Sequence, residues 1–299
     1  FHASNKAQQH CPNTTIVSVG DREADIYELF HLALTTKNGP KLLIRAEHNR
    51  LLADGQGHLY DVSKNPVQGY WTLQVPRKKG QKAREATLAI RFCQVKLNPP
   101  NGKEKYGKLP IWVILAEEEE AAEGITPLKW MLLTTCEIAD FDQAIEKLNW
   151  YCLRWGIEIY HRTLKSGCKI ERRQLGSADR IEKCLAIDMI VAWRIYHLTK
   201  LGREIPTVPC TVFFEDAEWK ALVAYKTQDP IPPEKPPQLR EAIHMVASLG
   251  GFLGRKCDGE PGTQTLWLGL QRLDDITEMW KITMTKLAPQ YLRPPPVSS

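Results

Sequence analysis

Hydrophobic and polar positions change rhythm three times along the chain. The first 13 residues are polar and unpatterned. Two short apolar runs follow, Thr14–Val19 and Lys41–Ala46. Such runs, bounded by turn residues, read as buried strands. Between them Ile26, Leu29, Phe30 and Leu34 recur at helical spacing, so strand, helix and strand are predicted in the first 50 residues. From about 51 to 128 the rhythm shortens. Tyr70–Val75, Ala86–Val95 and Ile111–Ala116 read as strands, separated by turns such as Asp54-Gly55-Gln56-Gly57 and Asn98-Pro99-Pro100-Asn101-Gly102. A small antiparallel sheet is expected there. Another strand opens after Pro127 and carries Trp130.

The pattern then becomes helical. Ile145, Leu148, Cys152, Trp155 and Ile159 form a stripe at spacings of three and four, which predicts one amphipathic helix with that stripe buried. Asp140 and Gln143 resemble a capping box at its start, and Ser166-Gly167 is a stop signal. Ile181, Leu185, Met189, Ala192, Ile195 and Tyr196 predict a second, longer helix, which Ile205–Pro209 breaks. Shorter helices are expected at about 215–226 and 238–249, joined by a stiff, proline-rich linker over 228–237. Leu266, Leu270, Leu273 and Ile276 form one more apolar stripe, either core or interface. The tail from Leu287 is proline-rich and reads as disordered. The chain is therefore of α/β class. It divides into 1–50 and 129–202 as a core in two parts, 51–128 as a β-rich insertion, 203–287 as a helical region and 288–299 as a tail.

Composition narrows this little. With 299 residues, 43% hydrophobic and 25% charged, the chain is long enough for a large core and two or more domains. A net charge of +5 is compatible with a polyanionic partner but too mild to argue for one. No signal peptide is evident, and no apolar run reaches the roughly 18 residues that a membrane-spanning helix needs. The first residue is Phe1 rather than Met, which reads as a fragment or a protein whose start is missing. The eight cysteines contain no CxxC pair. Cys136, Cys152, Cys168 and Cys184 fall sixteen apart, a step that places them on no common helical face. Reduced thiols in a cytoplasmic protein are expected.

Candidate chemistry lies beside the first helical stripe. At about 100° per residue, Tyr151, Arg154, Glu158 and Lys165 fall within an arc of roughly 60°. A carboxylate suits a hard cation such as Mg²⁺, and arginine and lysine suit phosphate. The plain alternative is a solvated face with an i,i+4 ion pair between Arg154 and Glu158. Lys169, Arg172 and Arg173 extend the cationic track, and His161 at its edge reads as a hydrogen-bonding or phosphate-contacting group rather than a metal ligand. Asp21 ends the first strand, where α/β folds present functional side chains; it could equally cap the following helix. Asp25 reads as structural, for example as a partner for Arg22. Arg77, Lys78, Lys79, Lys82 and Arg84 form a cationic hairpin tip, solvated or phosphate-binding. The acidic run Glu117–Glu120 reads as a solvated strand end or loop rather than a metal site. Gly156 costs about 1 kcal/mol against alanine inside a helix, so it implies tight backbone packing or a close approach by a ligand.

The spacing Tyr151-x2-Arg154-x3-Glu158-x6-Lys165 resembles the signature of DDE transposases of bacterial cut-and-paste insertion sequences. Gly20-Asp21-Arg22-Glu23-Ala24-Asp25-Ile26-Tyr27 is similar to that family's second-acid motif, and Thr126-Pro127-Leu128-Lys129-Trp130 to a third. The resemblance covers nearly the whole chain. It implies a ribonuclease H-like catalytic core, truncated at its N-terminus, with a β-rich insertion and a C-terminal helical region that pairs two protomers. It implies Mg²⁺ (or Mn²⁺) held by Asp21 and Glu158 as catalytic acids, and two-metal phosphoryl transfer that cuts transposon ends through a hairpin and joins them to target DNA. Tyr151, Arg154 and Lys165 would grip double-stranded DNA, as would the loop cations; Arg45 sits where the family has an arginine near the active site, with a solvated strand end as the alternative. Trp130 would stack on a flipped base, although core packing is the simpler reading. The family's first acid lies on an earlier strand, and residues 1–20 contain no Asp or Glu; the chain alone is therefore expected to be inactive. Two other readings remain, a non-catalytic module that dimerises or binds DNA as an inhibitor, and a ribonuclease H-like nuclease.

Overall fold

The computed structural model describes residues 1–75, 83–121, 124–255 and 258–291, with side chains to residue 284. The chain forms two compact units, Phe1–Trp155 and Gly156–Ser299.

The N-terminal unit is built on one six-stranded sheet. Its strands are β1 (Val17–Gly20), β2 (Lys41–Arg45), β3 (Gly69–Val75), β4 (Arg84–Leu97), β5 (Leu109–Glu117) and β6 (Lys129–Thr134), in the order β1-β2-β6-β5-β4-β3. β1 and β2 are parallel, as their connection through helix α2 (Tyr27–Thr35) requires. All other neighbours are antiparallel. The strands expected at 51–128 thus form no sheet of their own. β5 pairs along β6 from Trp112 to Glu117, so they extend the sheet that holds β1 and β2. The sheet is covered on both faces. One layer contains Tyr27, Phe30, Leu42, Ile44, Ile111 and Leu133; the other contains Leu43, Leu132, Ala144, Leu148 and Tyr151, the last three from helix α3 (Phe141–Leu153). Burial on both faces explains why Lys41–Arg45 reads as a continuous apolar run rather than an alternation.

Two local expectations shift. A helix, α1 (His2–His10), occupies the stretch that looks unpatterned. None of its residues is buried, so it has no apolar period to read. It is tied down by polar bonds, with Gln8 Oε1 accepting from Ile16 N at 2.9 Å and Ser18 Oγ donating to Ser4 Oγ at 2.7 Å. In α2 the buried residues are Tyr27, Phe30 and Ala33, while Ile26 and Leu34 are exposed. The inward face is therefore rotated from the one that the apolar spacing suggests. The reason is polar: the Tyr27 hydroxyl, inside the core, donates to Leu97 O at 3.2 Å and Gly107 O at 2.6 Å.

The signature segment is not one regular helix. α3 ends at Leu153, and α4 (Trp155–Arg162) follows Arg154. Arg154 keeps helical dihedrals, but its N–H donates to Tyr151 O, three residues back, which tightens the turn. At Thr163–Gly167 the opposite happens: a π-turn forms, and Cys168 N reaches back five residues to Thr163 O. The capping box is displaced as well. Asp140 Oδ1 accepts from Gln143 N at 2.8 Å, but Gln143 Oε1 accepts from Ala139 N at 3.0 Å. Trp155, expected on the buried stripe, is exposed.

The C-terminal unit is helical after α4: α5 (Ala178–Glu204), α6 (Asp216–Thr227), α7 (Leu239–Leu249) and α8 (Thr263–Tyr291). The first three match the expected positions. Leu266 and Leu273 of the last apolar stripe are buried in the unit's own core with Trp219, Leu222 and Val246. That stripe is core. α8 runs past Leu287 to Tyr291, beyond where the tail was expected to start; residues 292–299 lie outside the described set. α7 and α8 cross where two glycines meet backbone. A Cβ on Gly269 would stand 2.0 Å from Val246 O, and one on Gly250 1.9 Å from Thr265 O. Gly156 is explained in the same way: a Cβ there would meet the Tyr196 hydroxyl at 2.3 Å. Tight packing accounts for it without a ligand.

The described cysteines are free thiols. Burial pushes Cys168 and Cys210 up to about 11, so both are protonated and inert at neutral pH.

Candidate functional site

The second-acid motif folds as a strand end and a tight turn. β1 stops at Gly20, where an added Cβ would collide with Ala24 Cβ and Ile44 Cδ1, each at 2.7 Å. Asp21 then caps a 3₁₀ turn, Arg22–Ala24, its Oδ1 accepting from Glu23 N at 3.2 Å. The capping role is thus real. Its other oxygen, Oδ2, faces the Arg154 guanidinium at 3.5 Å. The Asp21 side chain remains 47% exposed, so solvent reaches the carboxylate.

Asp25, four residues on, has a different fate. Its side chain is fully buried and bonded on both oxygens. Oδ2 accepts from Glu47 N at 2.8 Å and His48 N at 3.0 Å; Oδ1 accepts from Arg50 Nε at 3.0 Å and Nη2 at 2.5 Å. Asp25 is structural, but its partner is Arg50. Arg22 pairs with Glu47 instead, at 3.4 Å and mostly in water. Arg22 lies in the 3₁₀ turn and is exposed.

Tyr151 and Trp130 come together. Tyr151 is buried, and its ring meets Trp130 edge-to-face with centroids 5.7 Å apart. Trp130 is half-buried, on β6 between core and solvent. Arg45, at the end of β2, donates from Nη2 to Lys129 O at 3.2 Å. A connected row results: Asp21, Arg154, Tyr151, Trp130, with Arg45 beside Trp130 through Lys129. Its members come from stretches more than a hundred residues apart.

Glu158, Lys165, His161, Arg172 and Arg173 belong to the C-terminal unit. Glu158 lies in the first turn of α4. Lys165, in the π-turn, pairs with Glu171 at 3.2 Å, both largely exposed. His161 and Arg172 are exposed. Arg173 is held by the buried Asp188 at 2.7 Å, so its charge is spent inside the unit. Arg77, Lys78, Lys79 and Lys82 lie outside the described residues.

Among the described residues, no three His, Cys, Asp or Glu side chains lie together so as to hold a metal ion. Asp21 brings a suitable hard oxygen donor, but its two oxygens face a backbone N–H and a guanidinium. The described residues around Asp21 therefore do not by themselves group as a metal centre. One acid escaped the sequence reading. Glu118, in the run expected to be solvated, is buried at 4% exposure. Arg84, counted among the loop cations, forms a two-pronged ion pair with it, one arm at 2.8 Å. Arg84 therefore holds the sheet rather than a phosphate.

No described helix is long and apolar enough to cross a membrane. Residues 190–284 match the family model described as the transposase Tn5 dimerisation domain. The match spans the end of α5 and nearly all of α6 to α8, the helices expected to pair protomers, and supports a homodimer. Over those residues the chain is thus similar to the dimerisation domain of Tn5-type transposases.

Proposed function

We propose that this chain grips and pairs transposon-end DNA through a ribonuclease H-like core, and that the family chemistry is Mg²⁺-dependent strand cleavage and joining. The observation that carries this reading is the row Asp21–Arg154–Tyr151–Trp130. Two separate sequence motifs supply an acid and a guanidinium 3.5 Å apart, and a third supplies a tryptophan ring against Tyr151 of the second. Arg154, Arg45 and Lys165 would contact phosphates, with the cations of 77–82. Trp130 would stack on an extruded base. The C-terminal helices would bring two copies, and so two DNA ends, together.

In this reading Asp21 and Glu158 are the acids that would face Mg²⁺ or Mn²⁺. Two carboxylates fall short of what a two-metal site needs. With these two acids alone, end binding and pairing are expected rather than cutting. A binding and nicking assay tests both halves. Duplex DNA should be retained in EDTA and released by salt, and no nicks should appear with Mg²⁺ or Mn²⁺. Robust nicking would overturn the incomplete-site reading. Absence of DNA binding at low salt would overturn the function.

A further inference from the structure

The buried acid at the end of β5 has no part in that reading, and its surroundings suggest one. A carboxylate leaves water only when its charge and lone pairs are met. The Glu118 side chain is 2% exposed, against 43% for Glu119 beside it. Arg84 meets the charge with two N–H groups. The remaining capacity of Oε2 goes to the backbone, accepting from Leu128 N at 3.0 Å; Glu118 N in turn donates to Leu128 O at 2.8 Å. Glu118 thus clamps Leu128, two residues before Trp130. The next residue is braced as well. Lys129 Nζ pairs with Glu117 Oε1 at 2.6 Å, and Lys129 O accepts from Arg45. Trp130 itself lies opposite Ala116 in the ladder, two residues from Glu118.

This arrangement fixes direction as well as distance. A two-pronged carboxylate–guanidinium pair holds one orientation, whereas apolar side chains of similar volume would pack in several. The Leu128 N–H also needs a buried acceptor at that one place. The carboxyl of Glu118 is held below its ordinary range, first by the Arg84 hydrogen bonds, so it is charged whenever the protein is folded at neutral pH.

We propose that Glu118 is a positioning residue for DNA recognition: through Arg84 and Leu128 it sets the strand that presents the Trp130 ring to an unstacked base. The proposal rests on the stacking role assigned to Trp130 above. A base–aromatic stack requires the ring plane to be fixed in advance. Trp130 has Tyr151 behind it, and Glu118 fixes the backbone it stands on.

The test uses a short duplex whose terminal base is an unpaired 2-aminopurine, which is quenched when it stacks on an indole. The whole chain should quench it at saturation, and Trp130→Ala should not. Glu118→Gln keeps the size and an acceptor but loses the charge. It should lose most of the quenching and weaken binding roughly tenfold, within what loss of one base stack gives, with the melting of the C-terminal unit unchanged. The pair Glu118→Met with Arg84→Met keeps packing without charge, and guards against a variant that merely unfolds. It too should bind without quenching. Full quenching in both Glu118 variants, with none in Trp130→Ala, overturns the proposal alone. Full quenching in Trp130→Ala overturns the stacking role and the proposal with it. A wild-type chain that does not bind the duplex refutes the proposed function itself.

Discussion

The two units hold their parts in place by different means. In the N-terminal unit, positions are set by buried charge: Asp25 with Arg50, and Glu118 with Arg84, join segments 25 and 34 residues apart. In the C-terminal unit, positions are set by close backbone approach. α7 and α8 touch through Gly250 and Gly269; beside the pairs on the buried Asp188 and Glu218, other ion pairs lie nearer the surface, such as Lys220–Asp216 and Lys183–Asp179. The difference follows from the elements. Loops at strand ends leave backbone N–H groups that a carboxylate can gather, whereas helices satisfy their own and are free to pack by shape. A unit that must present side chains at loop ends needs direction. A unit that must pair with a copy needs a rigid surface.

The largest test of this contrast is Asp25→Ala. It leaves the Arg50 guanidinium, 8% exposed, without a partner and removes the acceptor for two backbone N–H groups. A loss of about 3–5 kcal/mol is expected, read as early unfolding of the N-terminal unit in urea while the C-terminal helices persist. Simultaneous loss of both units would break the comparison. Next is Gly269→Ala. Backbone at 2.0 Å cannot yield as a side chain can, so the C-terminal unit should lose about 1–3 kcal/mol or more and dimerise more weakly by sedimentation. An unchanged melting temperature would show that shape does not set this crossing.

Acid should separate the units next. Glu118 has a folded value below its ordinary 4.5, through Arg84. Its contribution is complete above the ordinary carboxylate range and is lost as pH falls through the folded value. The N-terminal unit should therefore weaken below about pH 4.5, and Glu118→Gln should flatten that dependence in chemical denaturation. Asp274, in the C-terminal unit, has the opposite sign. Burial raises it above its ordinary 3.8, so its contribution is present at low pH and lost as pH rises through the folded value. Because it is partly exposed, Asp274→Asn should stabilise that unit near neutral pH by only a few tenths of a kcal/mol. Smallest of all is Asp21→Asn. An exposed ion pair at 3.5 Å should be worth under about 0.5 kcal/mol. Two aspartates of one motif would then differ at least sixfold or so in their effect on stability, as expected if one holds the fold and the other faces a ligand.

Much of the fold was legible because it was local. The strand carrying Val17–Gly20 follows from a β-branched run, Lys41–Arg45 from an apolar one, and α5, α6 and α7 from helical periodicity. The tight approach at Gly156 was legible in kind, since a glycine inside a helix needs a reason. The break in the signature helix was not, because a turn that tightens at Arg154 and loosens at Thr163 changes no apolar spacing. α1 was invisible because nothing in it is buried.

The sequence by itself determined the residue types and their spacing: an acid after a strand, a tyrosine, arginine, glutamate and lysine in series, and helices with apolar stripes. Those depend on neighbours a few positions away. Only the tertiary structure decided which acid meets which cation. Asp21 found Arg154, Asp25 found Arg50 rather than Arg22, and Glu118 left water for Arg84. Charges act through space and pay no regard to sequence distance, so their partners are fixed by strand order and register. Those are set by the whole sheet at once.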